Sequence, residues 1–309
     1  MSAASASSSD LLKPEDHDRL REAGIDAARA QEQVRLLREG MRRPRLLRPA
    51  TRGDGIEALD PAEHEALGAE FRRACVEGRW VHFIPASGAA TRMADALVKT
   101  LETLPDLDEA ALRAEAGKDG EGSGPARAAL KLWEEWEKLP FAEALHRRVP
   151  ESRAWRARGE AGRLFDALLR GEGEGLLELP KGLVPFHRLG GEAATAVEEH
   201  IREAVALAPE AVARLHFTVS PEHEARFRAE TEAVLERLRP EGARAEVTFS
   251  FQDPATQTLA LDAAGEPFRD ASGRLVLRPG GHGSLLANLE GVARSLGADF
   301  AWVRNIDNI

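Results

Sequence analysis

Apolar positions recur at helical spacing through the first quarter of the chain, and then the pattern changes. Residues 14–40 are rich in Arg and Glu and read as one helix; residues 61–78 read as another, with Leu67, Phe71 and Ala74 on one face. WVHFIP (80–85) is a short apolar run, followed by the small-residue loop ASGAA and a helix starting near Thr91. From 94 to 179 the pattern is mostly helical, and Leu132, Trp133 and Trp136 form an apolar stripe suited to a core. Within that stretch GKDGEGSG (117–124) has the composition of a flexible linker. After Gly182 strands return. The spacing predicts a helix over 195–207, a strand at LHFTVS (215–220), and a helix with Ser220 at its N-cap and Pro221 at its first position. Pro240 ends that helix. AEVTFSFQ (245–252) reads as a strand, TLALD and RLVLRP as two shorter ones joined by a turn-rich segment. GSLLANLEGVARSL reads as a helix and DFAWVRNID as a closing strand. Strands alternating with helices predict an α/β fold: a mainly parallel, mixed, Rossmann-like sheet with helices on both faces and a helical insertion. The predicted organisation is a disordered tail (1–13), an N-terminal helical segment (14–79), and an α/β domain (80–309) carrying the insertion (94–179).

Composition narrows the function. The 309 residues suffice for one large α/β domain or two small ones. The formal charge of −10, without a basic stripe, argues against nucleic acid as a partner. No apolar run approaches the roughly 18 residues of a membrane span, and the polar N-terminus lacks the form of a secretory signal. A single cysteine, Cys75, fits a reducing cytosol, so the expected location is cytoplasmic. An acidic chain can still bind a triphosphate, but it needs a compact site of backbone N–H groups, a few cations and a metal.

Five segments offer such chemistry, each with a plainer reading beside it. PASGAATRM (85–93) lies between a strand and a helix N-terminus, where small residues admit phosphates to the backbone and Arg92 adds charge. It matches neither the dinucleotide fingerprint nor the P-loop, and it also reads as a tight turn. In LPKGLVPFH (179–187), Lys181 sits on a rigid segment between prolines, or is an exposed loop lysine. Gln252 ends an apolar strand, where its amide can read a base edge or simply be satisfied locally. Gly280, Gly281 and Gly283 in RPGGHGSLLANL allow close backbone approach, with His282 among them as a conformational or hydrogen-bonding residue. Asp307 follows an apolar strand, a place for a carboxylate holding Mg²⁺ or for a turn aspartate. There is no H-E-x-x-H, no thiolate zinc set and no G-x-S-x-G elbow.

The order of these segments carries more than any one of them. SGAATRM followed by PKGLVPF and the helix TAVEEHIREAV resembles the nucleotidyltransferases that join a nucleoside triphosphate to a sugar 1-phosphate. That superfamily has a GT-A-like sheet, a Gly-rich loop ending in Gly-Thr-Arg-Met or -Leu, and then Pro-Lys. This chain departs by having Ala89 and Ala90 in the loop and roughly 85 residues before the lysine, far beyond an ordinary connection. FQDPATQTLALD, RPGGHGSLLANL and NIDNI, in that order, resemble the UDP-sugar and UDP-N-acetylhexosamine pyrophosphorylases. The whole set, with LHFTVSPEH, looks closest to the bacterial family catalogued as domain of unknown function 4301. The resemblance implies that sugar-phosphate oxygen attacks the α-phosphorus of the triphosphate, UTP by this likeness, and that pyrophosphate leaves. Ala86, Ser87, Gly88, Ala89, Ala90 and Thr91 would hold the triphosphate, with Arg92 and Lys181 as the catalytic cations. Gln252 and the loop of Gly280, Gly281, His282 and Gly283 would bind the nucleotide base, and Asp307 would hold Mg²⁺. Relatives of this type continue with further strands, so the resemblance implies a fragment, a truncated frame or a shortened relative. The competing function is a catalytically silent nucleotide or sugar-phosphate binding protein on the same fold; a third is a helical scaffold whose insertion binds a partner.

Overall fold

The computed structural model describes residues 12–40, 44–88, 90–170 and 175–308. The expected tail therefore lies outside the described residues up to residue 11. By contacts the chain forms two compact units: Cys75–Ser250 with Ser295–Ile309, and the residues up to Ala74 with Phe251–Arg294. This division crosses the boundary that the sequence reading sets at residue 80.

The larger unit holds the main sheet. Its strands are β1 (Trp80–Pro85), β2 (Ala213–Thr218), β3 (Ala245–Ser250) and β4 (Phe300–Val303), in the order β4-β1-β2-β3, and every pairing is parallel. The α/β, mainly parallel character read from the sequence is thus present. β1 is central and buried along its whole length, which is why WVHFIP is a continuous apolar run rather than an alternating one. Helices Ala196–Leu207 and Glu224–Leu238 belong to this unit. Phe227 of the second packs on Phe217 of β2 at a ring separation of 6.3 Å. Thr195 caps the first by accepting the Glu198 amide at 3.2 Å. The predicted helix at Ser220 begins instead as a 3-10 turn, Pro221–His223, without a side-chain cap.

The insertion is helical as expected and makes its own core. Helices Thr91–Thr103, Glu109–Ala116, Gly124–Glu134, Pro140–Arg148, Ser152–Ala157 and Ala161–Leu169 supply it. Trp133 and Trp136 are fully buried, and Phe165 meets Trp133 edge-on at 6.0 Å. The segment given linker composition is partly ordered: Glu121–Ser123 forms a 3-10 turn, and the buried Ser123 hydroxyl donates to the Gly120 carbonyl at 2.8 Å.

In the smaller unit the single long helix expected over 14–40 is two, Pro14–Glu22 and Ala27–Glu39. Gly24, at φ +71°, turns the chain between them, a backbone conformation that glycine adopts without a side-chain penalty. TLALD and RLVLRP give only the short antiparallel pair Thr258–Leu259 and Leu277–Arg278, apart from the main sheet. Asp16, almost wholly buried, holds Arg269 through two bonds of 2.6 Å and ties the first helix to this region.

Candidate functional site at the C-terminal edge of the sheet

All four strands run the same way, so the segments that follow them gather at one edge. Chain order places β2 and then β3 on one side of β1, while β4 returns on the other. In open parallel sheets the crevice lies where the direction of winding reverses, here between β1 and β4. The loop after β1 and the segment after β4 both start there. The Ala86 amide donates to the Thr218 carbonyl at 2.8 Å, and the Arg304 amide donates to the Phe83 carbonyl at 3.0 Å.

The lysine segment comes back to the same edge. The Lys181 amide donates to the Gly88 carbonyl at 2.9 Å, and the Ala90 amide donates to the Leu179 carbonyl at 3.2 Å. The two halves of the split motif are therefore hydrogen-bonded neighbours, although the insertion separates them in sequence. Pro180 is extended and Lys181–Leu183 makes one 3-10 turn. Gly182 in that turn is buried. A Cβ there would come within 2.8 Å of the Phe227 ring and 3.2 Å of Ile306. The turn is thus seated directly on helix Glu224–Leu238 and on the segment after β4. From this seat the Lys181 ammonium reaches Asp307 and forms a salt bridge with its carboxylate. Both side chains stay partly open to solvent, 21% for Lys181 and 35% for Asp307.

Within the loop, Ala86 and Ala90 are buried, Ser87 is half-buried and Gly88 is exposed with open space where a side chain would stand. Ala89 lies outside the described residues. Thr91 and Arg92 open the helix Thr91–Thr103, and their side chains lie outside the described residues. Among the described residues no side chain caps this helix N-terminus.

The remaining predicted residues belong to the smaller unit. Gln252 donates from Nε2 to the Thr256 hydroxyl at 3.0 Å, so its amide serves a local turn. Gly280 packs against that same turn: an added Cβ would meet the Thr256 carbonyl oxygen and the Ser284 side chain at 2.9 Å. Gly281 is extended and accepts from the Ser284 amide at 2.9 Å; His282 and Gly283 are exposed. The glutamine and glycine segments are thus neighbours of each other. The predicted residues fall into two groups: the loop with Lys181 and Asp307 in one unit, and Gln252 with residues 280–283 in the other.

Two cavities in the larger unit hold none of the predicted residues. One, of about 790 Å³, lies in the insertion and is lined by Leu107, Trp155, Asp166 and Arg170 among others. The other, of about 530 Å³, has Arg147, Arg148, Arg202 and Arg237 on its walls. Glu198, buried there, accepts from Arg202 at 3.0 Å and from Arg237 at 2.6 Å. Sequence reasoning passed over this arginine group because its members come from three helices. It also passed over His82, His200 and Glu203, which converge beneath the segment after β4. The i, i+3 spacing of His200 and Glu203 on one helix was the available signal.

No helix among the described residues is long and apolar enough to cross a membrane. None of the curated proteins compared with the chain matches it. The model of the family described as Domain of unknown function (DUF4301) matches residues 13–309, and the chain belongs to that family.

Proposed function

We propose that the edge formed by residues 86–88, Lys181 and Asp307 binds the phosphates of a nucleoside triphosphate, and that the protein is a nucleotidyltransferase acting on a sugar 1-phosphate. The observation that carries this reading is the Lys181–Gly88 backbone bond together with the Lys181–Asp307 salt bridge. They unite three segments singled out for phosphate chemistry, at the reversal point of a parallel sheet, which also supports a Rossmann-like, GT-A-like classification. Among the described residues no side chain caps the helix N-terminus after the loop, and uncapped amides favour an anion.

The chain's own groups have definite tasks on this reading. The backbone N–H groups of Ser87 and Gly88 and the ammonium of Lys181 neutralise and orient the triphosphate, whereas the Ala86 and Ala90 amides expected there donate to the Thr218 and Leu179 carbonyls. The sugar-phosphate oxygen then forms its bond to the α-phosphorus as the bond to pyrophosphate breaks, and positioning supplies most of the acceleration. Arriving phosphate competes with Asp307 for the ammonium. Asp307 gives a single accessible carboxylate, a donor set that fits Mg²⁺ held mainly by substrate oxygens. Asp307 would hold such an ion, which would supply positive charge to offset that of the phosphates.

The test is pyrophosphate release across the four common nucleoside triphosphates and a panel of sugar 1-phosphates. Release with one pair, uridine triphosphate first among them, supports the assignment. Triphosphate binding without release under any pair favours the silent binding protein.

A further inference from the structure

The strongest unexplained feature of the larger unit is a buried pair of imidazoles facing a carboxylate. His82 lies in the middle of β1, and His200 and Glu203 lie on helix Ala196–Leu207. Both histidine side chains are fully buried, while Glu203 is one-quarter exposed. The Glu203 Oε2 atom is 3.5 Å from His82 Nε2 and 3.8 Å from His200 Nδ1, and one ligand atom from each of the three residues lies within 4.8 Å of the others.

Hydrogen bonding sharpens the case. His200 Nε2 is 3.2 Å from the Ile306 carbonyl oxygen, an acceptor, so Nε2 carries the proton and Nδ1 presents a lone pair. That lone pair therefore faces a carboxylate oxygen, acceptor against acceptor, in a buried place. His200 Nδ1 and both ring nitrogens of His82 have no hydrogen-bond partner among the described residues. Buried polar atoms are seldom left so. Arg304 donates to both carboxylate oxygens, from Nη2 to Oε1 at 2.6 Å and from Nε to Oε2 at 3.2 Å.

We propose that His82, His200 and Glu203 bind a divalent transition metal ion of the zinc class. Two imidazoles and one carboxylate are a common three-residue set for such an ion, with water in the fourth position on the Glu203 side. Ligand distances of about 2.0–2.1 Å and tetrahedral angles put donor atoms roughly 3.3 Å apart, a few tenths of an ångström closer than the carboxylate–imidazole separations here. The far nitrogen of His200 holds a backbone carbonyl, an outer partner of the kind that metal ligands use, and Arg304 pairs with both oxygens of Glu203. Because His200 holds the Ile306 carbonyl, the ion would brace the segment that carries Asp307. This site is independent of the nucleotide reading.

The test uses the full chain, stripped by chelator and titrated with Co²⁺ alone. The proposal expects a ligand-field absorption of tetrahedral intensity that saturates at one equivalent and is displaced by Zn²⁺. His82→Asn and Glu203→Gln should each weaken Co²⁺ binding by more than the roughly 10- to 100-fold typical of outer-shell changes. His64→Gln, on the exposed surface, should leave it unchanged. Should either site variant fail to fold, the wild-type spectrum alone decides. Absence of the band in natively folded wild type overturns the proposal, as does a band that persists in folded His82→Asn and Glu203→Gln.

Discussion

Lys181 and Asp307, 126 residues apart in the chain, form a salt bridge at the C-terminal edge of the parallel sheet. Pairs this open to water contribute only about 0–1 kcal/mol to stability. Lys181→Ala should therefore shift the thermal midpoint by no more than about 2–4 °C. Circular dichroism melting checks this. A much larger fall would make the pair a structural element and would void the use of these variants as probes of binding.

The seat of Lys181 gives a second prediction. Gly182 has no room for a methyl group, because the ring at 2.8 Å belongs to Phe227, fully buried in the core. Gly182→Ala should cost about 1–3 kcal/mol by overpacking. Adding Phe227→Leu should recover part of the loss in urea unfolding. An alanine tolerated within about 0.5 kcal/mol would show that the turn is not held in this position.

The sequence made the parallel sheet legible because its buried strands are apolar runs bounded by helices, as at residues 80–85 and 213–218. It also made the Lys181 segment legible through two prolines and a glycine, each with a backbone reason. What it hid has physical causes. Gly24 at positive φ splits a helix that helical spacing alone carries through. The division of the chain brings residues 251–294 to the N-terminal helices through contacts such as Asp16–Arg269, and no local periodicity announces a pairing across that distance. His82 reads as one polar residue inside an apolar strand. Its meaning appears only when helix Ala196–Leu207 brings His200 and Glu203 beside it.

Acid should act through His216. Its ring stacks on Phe83 at 5.5 Å and is buried. Thr248 donates to the Leu215 carbonyl at 3.3 Å, so its hydroxyl oxygen is left to accept from His216 Nδ1, at 2.7 Å. Ser250 then donates to Nε2, at 2.8 Å, and the ring is neutral. Burial pushes its pKa down to about 4 from 6.5. The unfolded chain binds the proton more readily, so this contribution is full above pH 6.5 and is lost progressively as pH falls toward 4. The loss should be on the order of a few kcal/mol. Urea unfolding at several pH values should show a shallower acid limb for His216→Phe than for wild type. Parallel limbs would remove His216 from the account.

In the smaller unit the Asp16–Arg269 pair should behave as a buried one. Burial raises the Asp16 pKa, but hydrogen bonds from Arg269 and the Lys13 amide outweigh it and hold the carboxyl below its ordinary value. Asp16→Asn leaves the guanidinium without its counter-charge and should cost about 3–5 kcal/mol. Replacing both residues, by Asp16→Leu with Arg269→Met, should cost less than the single change. Denaturant unfolding of the three variants checks the order. A double variant worse than Asp16→Asn would contradict it.

Calorimetric titration of uridine triphosphate tests whether Lys181, Asp307 and the loop after β1 form one phosphate site. Wild type should bind it in an Mg²⁺-dependent way. In Asp307→Asn that dependence should weaken, by a loss of about 1.5–3 kcal/mol or roughly 10- to 150-fold in affinity. In Lys181→Ala a loss of similar size should appear with and without Mg²⁺. Equal Mg²⁺ dependence in wild type and natively folded Asp307→Asn would contradict the assignment.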